Sequence, residues 1–313
     1  MSHPQPVEHA QQPPAELFRP RADAPARGVS AAPAGRGRDV VRRLRQNRLA
    51  VLGFWIIAAL VVMAIVGPFL VPYAYDEQNL LEGNEPPSAR HWFGTDDFGR
   101  DVFARTWTGA RISLFVGFTA AFLDLVIGVI YGGTSGYTGG TTDDVMMRVV
   151  DLLYGVPHLL STVLLMVVLG PGLFTIILAM VATGWLGMAR LVRGQVLQLR
   201  ELEYVQAAHA LGVPSRRVLG RHLIPNAMGP ILVNLTLTVP AAIFTEAALS
   251  FLGLGVPLPL ASWGTMTAEA LVTILTGQTW RLFFPAFFIS LTMFAFNAFG
   301  DGLRDALDPR LKR

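Results

Sequence analysis

The sequence predicts an all-α membrane protein with six transmembrane helices. Hydrophobic residues make up 52% of the 313 residues and charged residues 15%, a more apolar balance than that of a soluble domain. The apolar residues are gathered in runs that carry little or no charge. A helix of about 20 such residues crosses the hydrocarbon layer and satisfies its own backbone groups. The predicted spans are about residues 49–71, 112–131, 152–169, 173–189, 228–252 and 282–300.

The segment before the first span differs in composition from the rest. Residues 1–38 are rich in Pro, Ala and Arg and lack apolar periodicity, so they are predicted to be a disordered cytoplasmic tail. The membrane domain is then residues 39–313. Four arginines between positions 39 and 48 precede the first span, and basic residues beside a span favour the cytoplasmic side. An even number of spans places both termini in the cytoplasm.

The central apolar run, residues 152–189, contains no Asp, Glu, Lys or Arg. It is about twice as long as one span needs to be. Gly170, Pro171 and Gly172 lie near its middle, and Gly and Pro end helices and favour tight turns. The run is therefore predicted to form two spans joined by a tight outer hairpin.

The predicted outer loop, residues 72–111, contains a segment in which charged and aromatic side chains alternate. Its characteristic residues are Trp92, Asp96, Asp97, Arg100 and Asp101. The alternation is typical of an amphipathic segment that lies at the membrane surface, with its aromatic rings at the headgroup level. A solvated loop with internal ion pairs fits the pattern equally well, and the residues alone do not separate the two interpretations.

Two carboxylates fall within predicted spans, Asp124 in the second and Glu246 in the fifth. A charged group near the middle of a span costs roughly 2.5–3.5 kcal/mol on insertion scales, so each should face protein or water rather than lipid. Asp124 is either a polar site in a transport pathway or a hydrogen-bonded structural carboxylate. Glu246 either lines the pathway or is buried near the outer interface.

The loop of residues 190–227 carries six arginines and is the most basic loop between spans, which predicts a cytoplasmic position. Its second part is predicted to form two short helices joined by a hinge. Tyr204, Ala207, Ala208 and Leu211 share one helical face, and Gly212 is the residue type that ends a helix in the left-handed conformation. Pro214 suits the first turn of a second helix, and Pro225 predicts the next break.

These residues also carry a resemblance. Gln206-Ala207-Ala208, Gly212 and His222-Leu223-Ile224-Pro225 resemble the EAA loop in the membrane subunits of ABC importers, which forms a coupling helix in a groove of a cytoplasmic ATPase. The chain departs from that pattern at Gln206 for glutamate, His222 for isoleucine and Ile224 for leucine. Residues 91–114, 245–256 and 300–313 resemble the C-type permease of dipeptide and oligopeptide importers.

The resemblance implies a type I ABC importer permease of the MetI-like fold in a bacterial inner membrane. The implied partners are a homologous second permease in a heterodimer, two ABC ATPase subunits, an extracytoplasmic substrate-binding protein and a peptide substrate. ATP and Mg would be bound by the ATPase subunits, with no cofactor in this chain. Nickel or glutathione is the alternative cargo. The implied ATPase-coupling residues are Glu203, Tyr204, Gln206, Ala207, Ala208, Leu211, Gly212, Arg216 and Pro225.

The sequence supports other classes of function less well. The chain lacks G-x-x-x-x-G-K-[ST], and its only lysine is Lys312, so it carries no phosphate-binding loop of its own. It also lacks H-E-x-x-H and G-x-S-x-G, and its scattered histidines predict no metal site. Its arginines form no aromatic-interleaved patch for nucleic acid. A stand-alone secondary transporter would need coupling charges at the midplane and paired broken helices. A non-transporting membrane scaffold is the third class. Co-purification with an ATPase separates an ABC importer permease from both of these other classes.

Overall fold

The computed structural model of the chain describes residues 36–307, and its regular structure in that range is helical. The α-helices are α1 (Arg36–Gln46), α2 (Arg48–Val66), α3 (Val102–Thr138), α4 (Gly140–Tyr154), α5 (His158–Leu169), α6 (Leu173–Arg200), α7 (Glu203–Ala210), α8 (Ser215–Val218), α9 (Ile224–Phe251), α10 (Trp263–Ala270) and α11 (Trp280–Leu307). Most of the predicted tail, residues 1–35, lies outside the described residues. Helix α1 begins at Arg36, inside the segment that was assigned to the tail.

The all-α membrane fold is confirmed. Five helical stretches are long and apolar enough to cross a membrane, and the pair α4–α5, bent by 80°, makes a sixth if it is counted as one span. The five stretches are Arg48–Phe69, Val102–Thr138, Leu173–Arg200, Ser215–Phe251 and Trp280–Leu307. Helices α3, α6, α9 and α11 extend beyond their predicted spans, and some of the charged residues in these extensions pair with neighbouring elements.

Helix α3 shows this extension most clearly, since it begins at Val102 and not near residue 112. Asp101 caps its first turn by accepting a hydrogen bond from the N–H of Ala104 at 2.7 Å. Arg111 stays within the helix because its guanidinium donates to the carbonyl oxygens of Ala64 and Ile65, at 2.5 and 2.7 Å. Those carbonyls lie at the end of α2, where the helix leaves them without partners of its own.

The third span is broken rather than straight. Helix α4 covers much of residues 132–151, which lie between the second and third predicted spans. Helix α5 starts after Pro157, which acts as its N-cap without a side-chain hydrogen bond. A proline cannot continue the bonds of the preceding helix, so the chain turns there. Two ion pairs hold α4 against α6: Asp143 with Arg193 and Asp151 with Arg190, each at 2.6 Å.

Helices α3 and α6 approach so closely that their backbones touch. Gly128, Gly132 and Gly136 follow one another at one-turn spacing on α3 and face α6. A Cβ added to Gly132 would lie 2.1 Å from the carbonyl oxygen of Ala189, a distance that no side chain tolerates. Small residues at this spacing let membrane helices pack backbone to backbone. The pair α3–α6 forms the centre against which α5 and α9 pack.

Candidate functional site

The hinge segment, residues 201–226, connects the end of α6 with the start of α9. Gly212 has a φ of +75°, a left-handed conformation that glycine adopts without strain. The N–H of Val213 donates to Ala208 O at 3.1 Å, and the N–H of Gly212 donates to His209 O at 2.9 Å. These are the two bonds of a Schellman stop, so α7 ends where the glycine predicts.

Pro225 does not break the chain, contrary to the sequence prediction. The backbone remains helical over Ser215–Phe251, because a π-helical turn at residues 219–223 precedes α9. In an α-helix the proline ring would clash with a carbonyl one turn earlier, and its missing N–H would leave that carbonyl unpaired. The π turn changes the register, with Ile224 N–H donating to Leu219 O, and Pro225 then occupies the first turn of α9.

One side of α7 is anchored in the protein. Val205 is fully buried, and Ala208 is half-buried beside it. They belong to an apolar cluster that includes Val196 of α6, Val218 of α8 and Leu223. Helices α6, α7 and α8 and the start of α9 all contribute to this cluster, so one apolar core joins α7 to both long helices.

The other side of α7 is open. Tyr204 is 42% exposed and Leu211 is 84% exposed, and Ala207 lies exposed between them. The predicted face is therefore divided: Ala208 turns toward the protein, whereas the other three residues turn away from it. Three further predicted coupling residues are also exposed: Glu203, Gln206 and Arg216.

A cavity of about 470 Å³ lies between α3, α6, α9 and the bend of α4–α5. Asp124 of α3 lines it and is 6% exposed, with no hydrogen-bond partner for its Oδ1 among the described residues. His158 at the bend also lines the cavity, and its Nδ1 lies 2.7 Å from Thr183 Oγ1. Asp124 thus has the position expected of a pathway residue, and its unpaired oxygen does not fit a hydrogen-bonded structural carboxylate.

Glu246 occupies a different environment. It is fully buried and does not line the cavity. It accepts hydrogen bonds from Ser262 Oγ at 2.6 Å, Ser250 Oγ at 3.0 Å and Ser113 Oγ at 3.4 Å. The carboxylate therefore joins α3, α9 and the start of α10. Of its two interpretations, this geometry is that of the buried carboxylate.

The charged segment, residues 91–105, is held by buried ion pairs. Arg100 Nε donates to Asp96 Oδ2 at 2.6 Å, and the Arg100 backbone N–H donates to Asp96 Oδ1 at 3.0 Å. His91 Nδ1 lies 2.8 Å from Asp101 Oδ2. Asp96, Arg100 and Asp101 are 4%, 5% and 2% exposed, so these ionic side chains pair in the interior of the protein.

The same segment also binds residues far along the chain. Arg105 Nη2 lies 3.0 Å from Glu269 Oε2, and Arg281 Nη2 lies 3.0 Å from Asp97 Oδ1. Trp92 remains 47% exposed, and the position of this segment relative to the membrane surface stays a prediction. Internal ion pairs are present, but they are buried rather than solvated. The partners of Arg105 and Asp97 lie more than 160 positions away along the chain, so a local sequence pattern does not reveal them.

Four residues that line the cavity were not identified from the sequence. Thr238 and Thr245 of α9 line the cavity together with Gly184 and Gly187 of α6. A signal was present, since the two threonines lie seven residues apart and so share one helical face. Within residues 36–307, no group of three or more His, Asp or Glu side chains is arranged to hold a metal ion.

Comparison with known proteins agrees with this geometry. Residues 124–313 match the family described as "Binding-protein-dependent transport system inner membrane component". Residues 35–87 match a second family, described as "N-terminal TM domain of oligopeptide transport permease C". Together the two matches cover the hinge segment and every lining residue of the cavity except Ala120, and residues 88–123 lie between them.

Individual relatives give the same result. The chain is 61% identical to the dipeptide transport system permease protein DppC of Bacillus subtilis over 88% of this chain and 86% of the relative. It is 60% identical to the oligopeptide transport system permease protein OppC of the same organism, over 88% and 90%. The OppC protein of Haemophilus influenzae is 43% identical over 87% and 88%. The chain therefore belongs to the family of binding-protein-dependent transport system inner membrane components.

Proposed function

We propose that the chain is the C-type permease subunit of an ATP-driven importer of dipeptides or oligopeptides in a bacterial inner membrane. It pairs with a homologous second permease, two ABC ATPase subunits and an extracytoplasmic substrate-binding protein. The names of the relatives support a peptide as cargo in preference to nickel or glutathione. ATP and Mg are bound by the ATPase subunits, which supply the energy for transport.

The observation that carries the coupling role is the two-sided environment of α7. Its inner side is anchored through Val205 in the apolar cluster to which α6 and α9 also contribute, and its outer side presents Tyr204, Ala207 and Leu211. An exposed apolar patch rimmed by polar residues is typical of a protein interaction site. Small alanine side chains allow a partner to approach the backbone. In this proposal an ATPase groove holds the exposed side, and closure of the ATPases moves α7 as a lever on α6 and α9.

The proposed orientation follows from the same segment. The hinge segment and the end of α6 carry six arginines, more than any other stretch between the predicted spans, and they face the cytoplasm in this arrangement. The charged segment and α10 then lie at the extracytoplasmic end, where the substrate-binding protein docks. The cavity beside Asp124 lies between these two ends and forms part of the translocation path.

Co-purification of the ATPase tests the coupling role. Leu211→Glu places a charge on the proposed interface, and Leu81→Glu makes the same change at a leucine that is 96% exposed in the loop before α3. We expect the first variant to lose most of the associated ATPase and peptide uptake, and the second to keep its ATPase. Equal recovery of ATPase with both variants contradicts the proposed interface.

A further inference from the structure

The carboxylate of Asp124 is the one charged side chain that lines the large cavity within the described residues. It sits on α3 at a buried position, and its Oδ1 has no hydrogen-bond partner there. A buried charge without a partner is costly, and proteins keep such groups mainly where they bind something. A Cβ at position 184 would lie 2.5 Å from Asp124 Oδ2, so the absence of a side chain at Gly184 leaves room for the carboxylate itself.

The rest of the lining indicates what kind of cation fits. The walls are mostly apolar, with the hydroxyls of Thr183, Thr238 and Thr245. A dedicated site for a metal ion would need several hard or imidazole ligands, and no such group occurs in the described part of the chain. A single carboxylate in an apolar cavity of this volume suits an organic ammonium group, within the usual size of small-ligand sites.

A second feature of the cavity is complementary in charge. Pro157 and His158, the N-cap and first residue of the 12-residue helix α5, line the same cavity. No side chain caps that helix start. The start of a helix carries a partial positive charge and unpaired N–H groups, which favour an anionic partner. The cavity therefore combines a carboxylate with a positive helix end.

We propose that this cavity is a peptide subsite in which Asp124 binds the free amino terminus of the cargo, while the start of α5 faces a carboxylate of the same peptide. The inference rests on the proposed function, because it assumes that peptides pass this cavity. It adds that the membrane subunit itself selects for the zwitterionic form of the cargo. Asp124 acts by binding, and no covalent step is involved.

The first test reads the charge of the cavity without relying on transport. The chain contains no cysteine, so Ala241→Cys places the chain's single thiol at a residue that lines the cavity. In the purified complex, this thiol is treated with a cationic trimethylammonium methanethiosulfonate or with an anionic sulfonate analogue. Leu81→Cys, at an exposed position, normalises the intrinsic reactivity of the two reagents, and labelling is read on this chain by mass spectrometry.

We expect the normalised rate to favour the cationic reagent by about tenfold or more, because a charged cleft concentrates its counter-ions to this extent. The preference should disappear with Asp124→Asn and remain with Asp124→Glu. Trialanine should protect the thiol against labelling, and N-acetyltrialanine should protect it several-fold less. Equal rates for both reagents, or equal protection by both peptides, would overturn the inference.

The second test uses uptake of trialanine into vesicles that hold the complete complex, with saturating substrate-binding protein. We expect Asp124→Asn to lower uptake by about tenfold, the effect of losing a charge-assisted hydrogen bond, whereas Asp124→Glu restores most of it. Unchanged uptake by Asp124→Asn overturns the subsite and leaves the permease function intact. Failure of the unmodified complex to import any peptide overturns the proposed function instead, whatever the labelling experiment gives.

Discussion

The charged segment and the hinge segment resemble each other in sequence, yet the protein uses them in opposite ways. Both mix arginines with apolar residues between long apolar runs. In the charged segment most of the ionic side chains are buried, and they pair with one another and with residues of α10 and α11. In the hinge segment Val205, Val218 and Leu223 are buried, and most other side chains of α7 and α8 are exposed. The first segment completes its contacts inside the chain, whereas the second leaves a surface for a partner.

This difference makes a general point about polar loops in membrane proteins. Buried ion pairs need excellent geometry to offset the cost of desolvation, so a region built on them is rigid and sensitive to the loss of one partner. A region held by a few buried apolar side chains tolerates surface changes in its own fold but depends on another protein for its role. Substitutions that separate stability from transport therefore test the comparison.

The largest loss of stability is expected for Asp96→Ala in the charged segment. The change removes the carboxylate that lies 2.6 Å from Arg100 Nε and 3.4 Å from Arg105 Nε, and breaking a buried pair on one side costs about 3–5 kcal/mol. Thermal unfolding in detergent measures the effect. Asp39→Ala, which removes one partner of the exposed Asp39–Arg42 pair, is the control and should leave the unfolding temperature unchanged. Equal unfolding temperatures for both variants would show that the buried pairs do not stabilise this region.

A smaller loss is expected for Val205→Ala, which truncates the anchor of α7. Removing two methyl groups from a fully buried position costs about 2 kcal/mol, including the cavity that remains. Uptake should fall as well, because a loosened α7 transmits less motion to α6 and α9. Leu211→Ala is the matched variant on the exposed side: it should keep the unfolding temperature and weaken ATPase association. The division of α7 into two faces is disproved if the two substitutions have the same pair of effects.

Gly212→Asp should cost less stability but strongly reduce uptake. A non-glycine residue in the left-handed conformation costs roughly 1–2 kcal/mol, and the new side chain lies beside the proposed ATPase surface. Gly253 provides a close control, since its φ is +77° and a Cβ there also meets open space. Gly253→Asp should therefore show the same loss of stability while ATP hydrolysis and uptake stay coupled. Equal uncoupling by both would point to backbone strain and away from the interface.

The smallest effect is expected for Glu246→Gln. The serine hydroxyls around position 246 can rotate to donate to the amide oxygen or accept from its N–H groups, so the loss of stability should be about 1 kcal/mol. Uptake should remain close to that of the unmodified protein. A loss of uptake as large as that expected for Asp124→Asn would return Glu246 to the pathway and contradict its structural assignment.

Five of the six predicted spans coincide with long apolar helices, because hydropathy is a local property of the chain. The sequence also predicted the stop at Gly212, since the left-handed position favours glycine regardless of tertiary context. The true start of α3 was missed because Arg105 and Arg111 interrupt the apolar run, and their partners lie on other elements. The continuity through Pro225 depends on a π turn that no simple residue pattern announces.

The candidate site was predicted in part for the same reason. Asp124 was identified by the cost of a carboxylate within a span, but the same argument selected Glu246, whose hydroxyl partners come from three separate stretches of the chain. Only the tertiary structure separates an unpaired carboxylate beside a cavity from one that is surrounded by donors.

The row of glycines on α3 has a mechanical consequence. With no α3 side chain at these three positions, the backbone of α3 packs directly on α6, and the two helices should turn as one solid piece. Any alternation between two states of this protein must then be absorbed where the chain is already discontinuous, chiefly at the corner before His158. That corner borders the cavity, so a swing of α5 would change the width of the passage while the glycine-paired helices keep their mutual alignment.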